Sequence, residues 1–378
     1  MNIIHLKKGF SLRIAGTPER QLDLLDTPHH VGMVPERIPF IKPRLLVEEG
    51  DSVAIGTPLF EDKRNARIRF LSPGGGQVTR IVFGPRRIIR EIIIALDKDE
   101  RVESLDLPRP DQLDTMARPA LVEILLAGGM WPFLRALPFM DLADPDTIPP
   151  AIIVRLGDDE PFGPDPVVYL KDRQDRFSLG IDLLNKLCDQ VVVHHTGDEA
   201  ATSSLPAQTV THRFTGCYPS GNPSVQLYLT RTGSGQNRSW FIDGQDVILL
   251  GEFFRTGRYP VQRIMTVGGS LAPAAVHVST RAGVPLRQLC GGGLADHPAA
   301  RCVVGGVLTG FAGNADSFMG FYQNALNLID DGDREEPFGF IRPGYSKPSY
   351  SSAFLSAFHR KPFPMDCGQH GEVRACVN

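Results

Sequence analysis

No Cys-x-x-Cys pair occurs in this chain, although it holds six cysteines. That spacing supplies zinc and iron–sulfur ligands, so its absence removes the commonest metal centres. Cys188, Cys217, Cys290, Cys302, Cys367 and Cys376 are scattered and read as separate thiols of a reducing compartment. The nearest two, Cys367 and Cys376, have His370 between them, one ligand short of a structural zinc site. No metal site is expected. Also missing are a G-x-G-x-x-G turn after a strand, a P-loop, G-x-S-x-G and H-E-x-x-H. With them go the familiar phosphate cradles and nucleophile or zinc-hydrolase sites, and no catalytic residue is assigned. The longest apolar runs, such as Ile92–Leu96 and Val247–Leu250, fall far below the roughly 20 residues of a spanning helix. The opening MNIIHLKKGF lacks the apolar core and cleavage site of a secretory signal, so a cytoplasmic or cytoplasm-facing peripheral location is expected. A net charge of −3 argues against a dedicated nucleic-acid binder.

What is there is globular: 378 residues, 42% hydrophobic and 22% charged, enough for two to four domains. The 38 glycines and 31 prolines suit small β modules with many turns better than a helical bundle. Residues 1–100 carry net +3 and the remainder net −6. A mildly basic first module would suit a membrane surface or an acidic partner; ordinary surface variation explains the same imbalance.

Residues 40–100 read as short strands (Arg44–Val47, Pro58–Phe60, Arg67–Leu71, Gln77–Phe83, Ile88–Leu96) separated by glycine turns. Asp111–Ala127 reads as a helix, with apolar residues at spacings of three and four. Ala151–Leu156, Phe177–Leu187 and Gln190–Val193 give a strand–helix–strand rhythm of a covered parallel sheet. Val225–Thr230 and Ser239–Leu250 read as β structure around the loop RTGSGQNR. Arg263–Gly268, Ala274–Val278, a short helix Leu286–Leu289 and a last strand Cys302–Val307 form a further β module. A helix is expected over Ser351–His359.

Several segments carry a resemblance. VEEGDSVAIGTPLFEDK followed by SPGGGQVTRI is similar to the barrel-sandwich hybrid of biotinyl and lipoyl domains. Lys63 lacks the flanking residues of a carrier lysine, so scaffold use is expected. KKGFSLRIAGTP, HHVGMVP, FEDKRN, WPFLRALPF and QDVILLGEFFRTGRYPVQRIMTVGG occur in that order along the chain. Together they resemble the A-subunit family of the sodium-translocating NADH:quinone oxidoreductases (Nqr), whose members usually continue past the position of Asn378. More remotely, the module order is similar to the C subunit of the Rnf complex and the flavin-carrying NADH subunit of respiratory complex I. TVGGSL…GVPLRQLCGGG…CVVGGVLTG is similar to the soluble-ligand-binding β-grasp (SLBB) pattern.

The resemblance implies an α/β and β multidomain chain: a biotinyl/lipoyl-like barrel-sandwich hybrid over 1–103 and a Rossmann-like α/β domain without a nucleotide loop over 104–258. An SLBB β-grasp module over 259–330 and a C-terminal linker or helical extension over 331–378 would complete it. It implies a peripheral subunit on the cytoplasmic face of the bacterial inner membrane. Its partners would be other Nqr subunits, above all an integral membrane one. The complex would pass electrons from NADH to ubiquinone and export Na+, with the isolated chain not catalytic. The remote relatives hold flavin and NADH on a G-x-G-G-x-G-F-P loop. Here that place reads Gly128-Gly129-Met130-Trp131-Pro132-Phe133. Met130 and Trp131 stand where bare backbone must approach phosphates, so no tightly bound cofactor is expected.

A quinone needs an apolar slot and a donor for its carbonyls. Trp131, Phe133, Arg135 and Phe139 offer both within nine residues, and Gly32 with Met33 form a second candidate lining. The competing reading makes the aromatics a plug in the vanished flavin pocket. His194-His195 follows a strand, as active-site residues do, yet two loop histidines explain it as well; His29-His30 is a further pair. Arg86, Arg87 and Arg90, and Arg64, Arg67 and Arg69, are expected to form a basic docking edge. A free-standing flavin or NADH enzyme and a small-ligand or carrier module remain the alternative functions.

Overall fold

The computed structural model describes residues 1–10, 13–158, 160–197, 200, 202–203, 205–206, 209–291, 300–332, 342–345, 354–358 and 361–366. In the first module a four-stranded sheet runs His30–Met33, Ile89–Leu96, Gly76–Phe83, Ser52–Val53. A three-stranded sheet runs Pro43–Leu45, Pro58–Asp62, Asn65–Leu71. Side chains alternate across a pleat, so Val78, Ile92, Ile94, Phe60 and Phe70 from both sheets meet in one core. Phe60 stacks on Phe70 at 4.6 Å. The ladder slips between Val78 and Arg80, a bulge that leaves Thr79 and Arg80 both exposed before Ile81 turns inward.

The second sheet has seven strands, ordered Asn2–Leu6, His212–Gly216, Val191–Thr196, Ile152–Leu156, Trp240–Asp243, Arg135–Ala136, Asp141–Leu142. The first five run parallel, and Arg135–Ala136 runs antiparallel to both of its neighbours. Ile152–Leu156 is apolar almost throughout because both faces are covered. Ile152, Val154 and Leu156 enter the main core with Leu183 and Val247, which lie on two helices, Gln174–Leu187 and Gly244–Thr256. Ile153 packs on the opposite face with Leu227 and Phe241. The third sheet has six strands, ordered Phe311–Ala312, Ala300–Val304, Ala325–Asp330, Gln262–Gly268, Val276–Arg281, Glu19–Leu24. The helix Leu286–Cys290 contributes Leu286 and Leu289 to the core of this sheet.

Residues 2–6 and 19–24 are thus edge strands of the second and third sheets, while the two small sheets draw on residues 30–96. Several elements differ from the sequence reading. Val225–Thr230 is helical: Asn222 caps the helix Pro223–Thr230, its side chain accepting from Ser224 and Val225 N–H, and Pro223 takes the first turn. Ser239–Leu250 splits into a strand ending at Asp243 and a helix, because the run Val247–Leu250 is a fully buried helix face. A short apolar run cannot by itself distinguish the two. Ala325–Asp330, not Cys302–Val307, is the last strand of the β module. The helix expected over Asp111–Ala127 begins only at Arg118, with Pro119 in its first turn after a 3-10 segment Pro110–Thr115. Of the helix expected over Ser351–His359, the described part holds a 3-10 turn, Leu355–Phe358.

Candidate functional site

Chain order in the parallel sheet reverses direction once. From Ile152–Leu156 the chain adds two strands outward on one side, then returns with Trp240–Asp243 on the other. Ligands of open α/β sheets bind outside the carboxyl ends at such a reversal. A cavity of 310 Å³ lies there, lined by Arg155, Gly157, Asp158, Asp243 and Gly244, with Arg135 and Tyr322 beside them.

Its charges answer one another. Asp243 accepts from Arg155 Nε at 2.6 Å and from Arg135 Nη2 at 2.6 Å, and Arg155 Nη1 donates to Asp158 at 2.7 Å. The Arg135 guanidinium lies between the rings of Phe241 and Tyr322, at 4.2 and 4.5 Å. Burial alone would raise the Asp243 carboxyl, but the two guanidiniums outweigh it and hold the group below its ordinary value. Glu160 bridges to the third module, its Oε1 accepting from Leu308 N–H at 2.6 Å and Thr309 N–H at 3.2 Å. Burial raises its carboxyl. Three carboxylates therefore face two guanidiniums, and Asp243 is the N-cap residue of the helix Gly244–Thr256, its side chain turned to the arginines and accepting none of that helix's N–H groups.

The degenerate loop is built as core. The helix Arg118–Ala127 ends at Gly128, whose N–H donates to Ile124 O at 2.9 Å. A Cβ on Gly128 would lie 2.0 Å from the Phe253 ring, and one on Gly129 2.5 Å from Leu71. These glycines therefore serve helix and sheet packing. Met130 and Trp131 are wholly buried. The Trp131 indole N–H donates to Ala143 O at 2.8 Å, and its ring meets Trp240 edge-on at 5.7 Å. Phe133 stacks on Phe321 at 5.0 Å, with the Arg263 guanidinium over its ring at 4.9 Å.

The sequence-predicted quinone residues do not converge. Arg135 lines the switch-point cavity. Gly32 and Met33 line a separate 20 Å³ cavity with Tyr259 and Phe321, about one water in size. Trp131 and Phe133 line neither, and Phe139 is 76% exposed. His194 and His195 are buried. His194 Nδ1 lies 3.3 Å from Gln226 Oε1; burial first, then the neighbouring His212, lowers its pKa to about 3. It is a neutral core residue. His29 and His30 are exposed.

Lys63 stands exposed at the turn between Pro58–Asp62 and Asn65–Leu71, but its neighbour Arg64 is tied to Asp62 and, through both terminal nitrogens, to Asp141 of the second sheet at 2.7 and 2.8 Å. Arg67 pairs with Glu123 and Asp146, and Arg69 lies 3.8 Å from Glu61. Those three arginines thus face carboxylates of this chain, which corrects their reading as a free basic edge. Arg86, Arg87 and Arg90 are exposed. Cys367, His370 and Cys376 lie outside the described residues. The network of Arg135, Arg155, Asp158 and Asp243 was not legible in the sequence beyond Arg135; the only signal was a pair of strands each running into an acidic residue.

Comparison with known proteins identifies two family models along the chain. Residues 4–97 match the NqrA N-terminal barrel-sandwich hybrid domain, and residues 116–259 match the NqrA second alpha/beta domain. The A subunit of Na(+)-translocating NADH-quinone reductase from Yersinia pestis bv. Antiqua (strain Angola) is 31% identical over 378 residues, spanning 99% of this chain and 84% of that protein. The same-named protein of Pseudomonas aeruginosa (strain UCBPP-PA14) is 31% identical over 379 residues, with the same coverage. That of Rhodopirellula baltica is 30% identical over 383 residues, covering 100% and 83%.

Proposed function

The chain belongs to the NqrA family of the Na+-translocating NADH-quinone reductases, and on that footing we propose that it works as a peripheral subunit of such a complex. The reaction, NADH:quinone oxidoreduction, belongs to the complex. This subunit sits on the cytoplasmic face of the bacterial inner membrane, held there by other Nqr subunits, one of them integral to the membrane. No helix of the described residues is long and apolar enough to cross a bilayer, which supports the peripheral assignment. The strand reversal of the parallel sheet and the mixed third sheet with its short helix support reading the two modules as Rossmann-like and SLBB.

The chain holds no flavin or NADH tightly, and electrons reach quinone through other subunits. The observation that carries this is the burial of Met130 and Trp131 in the loop where the remote relatives leave bare glycine, together with the acidic lining of the switch-point cavity. Trp131 and Phe133 fill the protein interior. Where ubiquinone touches this subunit, it meets Met140 and Arg135 of the switch-point cavity, Arg135 donating to a carbonyl, with the exposed Phe139 next to Met140 in the chain. Gly32 and Met33 serve packing: a Cβ at Gly32 would lie 2.2 Å from the Phe318 ring. Co-expression with the membrane subunits tests the assignment. The chain should co-purify with them in detergent and, purified alone, show no flavin absorption and no NADH oxidation with artificial acceptors. Stoichiometric flavin on the isolated chain would overturn it in favour of a free-standing oxidoreductase.

A further inference from the structure

A cavity of 780 Å³ lies between the helices of the parallel sheet and the edge of the third sheet, well within the size range of small-molecule sites. Its walls are of two kinds. Leu24, Ile248, Leu249, Val261 and Ile264 give it an apolar lining. Leu24 is 81% exposed at its rim, while Ile248, Leu249 and Ile264 present to it the outer edge of the main core.

The same cavity is lined by four arginines, Arg173, Arg176, Arg258 and Arg263, against one carboxylate, Glu252. Glu252 is already shared by Arg176 at 2.8 Å and Arg255 at 3.0 Å. Arg263 is matched by Asp246 at 2.5 Å. Arg173 and Arg258 are left: among the described residues neither has a carboxylate within ion-pair distance. Arg173 donates to the carbonyls of Tyr169 and Lys171, both at a long 3.4 Å. Burial first, then the adjacent Arg176 charge, lowers the Arg173 pKa, against an opposing pull from Asp172 and Glu252, and a bound anion would favour the cation further. Tyr259, buried between this cavity and the small one beside Met33, offers a hydroxyl whose pKa burial pushes up to about 12.

We infer that this cavity binds an anionic amphiphile, a molecule with one carboxylate or phosphate head and an aliphatic chain. The head lies on Arg173 and Arg258 and the chain runs along Ile248, Leu249 and Val261. Charge without an apolar body leaves the lining wet, and an apolar body without charge leaves the two guanidiniums unanswered.

The test is a calorimetric titration of the full chain with three probes: oleate below its micellar concentration, methyl oleate, and inorganic phosphate. One oleate should bind per chain, with methyl oleate and phosphate each at least about tenfold weaker. A charge-assisted hydrogen bond accounts for roughly that factor or more. Arg258→Gln, at an exposed position, should weaken oleate about tenfold. Adding Arg173→Gln should abolish saturable binding while the unfolding curve stays cooperative. Phosphate binding as tightly as oleate would make this a simple anion site, and methyl oleate binding as tightly would make it a general apolar cleft. Either result, or an Arg258→Gln variant with unchanged oleate affinity, overturns the inference.

Discussion

The indole N–H of Trp131 donates to the carbonyl of Ala143, 12 residues away, at 2.8 Å. That single bond ties the loop after the helix Arg118–Ala127 to the strand Asp141–Leu142 that closes the sheet edge. It gives a large aromatic both of the things it needs when buried, apolar contact and a partner for its N–H. Trp131→Ala should therefore lower unfolding stability by about 3–5 kcal/mol. Trp131→Phe should cost less, about 1–3 kcal/mol, mainly by leaving the Ala143 carbonyl unpaired. Urea unfolding of the two variants measures both. Assembled complex carrying Trp131→Phe should show unchanged quinone kinetics; a raised KM for quinone with normal stability would instead make the indole a quinone contact.

Phe139 makes the contrasting case four residues after Arg135. At 76% exposure it contributes little to the core, so Phe139→Ala should change stability by no more than about 0.5 kcal/mol. If quinone meets this rim, the same variant should lower quinone affinity of the complex several-fold. Equal turnover and KM for variant and parent would leave the subunit without quinone contact.

His194 supplies a pH dependence with a definite sign. Its folded pKa is depressed to about 3 from an ordinary 6.5, so above about pH 6.5 both states are neutral and the folded state keeps its full advantage. As pH falls from 6.5 toward 3 the unfolded chain takes a proton that the buried ring refuses. Stability from this group then declines by up to about 1.4 kcal/mol per pH unit. Carboxylates elsewhere add their own acid sensitivity, so the measurement is a difference. His194→Gln, which keeps a polar partner near Gln226, should flatten the stability profile between pH 6.5 and 4 relative to the parent chain. Parallel profiles would mean that the ring already protonates in the folded state.

How much of this was legible in the sequence depends on range. The strands of the first module and the apolar strand Ile152–Leu156 followed from local alternation, glycine turns and a two-sided apolar run. Gly244–Thr256 did not, because an apolar stretch buried all round carries no period. Ala325–Asp330 went unseen because a central strand paired on both sides needs no turn signal close by. The switch-point network was out of reach for a different reason: Arg135 and Arg155 meet Asp243 across 108 and 88 residues, and only topology brings them together. The loop Gly128–Phe133 was legible as altered, but not which way its glycines had been reused.

Lys63 tests the reuse of the first module. A carrier lysine must swing freely on its hairpin, whereas here the adjacent Arg64 is held by two hydrogen bonds to Asp141 on another sheet. Intact mass of the chain made in a host with active biotin and lipoate ligases should therefore equal that of the unmodified polypeptide. Arg64→Ala should cost about 1–3 kcal/mol, since besides the partly solvated Asp141 pair it removes the ion partner of the buried Asp62 carboxylate. A mass increment on Lys63 in the parent chain would restore the carrier reading.

Another turn of that module predicts where assembly should fail. Between Gly76–Phe83 and Ile89–Leu96, Arg86 and Arg87 both adopt positive φ, 56° and 58°, a conformation costing an L-residue roughly 1–2 kcal/mol. Both are exposed, flanked by Phe83 and Ile88, each 44% exposed. The Arg87 guanidinium lies 5.6 Å from the Phe83 ring. Strain of this kind persists where a fixed presentation of side chains is useful, and two cations beside two apolar groups suit an acidic partner surface. Arg86→Glu with Arg87→Glu should abolish co-purification with the membrane subunits at moderate salt, while the parent complex weakens progressively as salt rises. Arg86→Gly with Arg87→Gly separates charge from backbone. It should weaken assembly to a similar degree yet leave the isolated chain as stable as the parent or slightly more so, because glycine adopts positive φ without cost. Co-purification of the Glu/Glu variant undiminished across salt would exclude this tip as the docking surface.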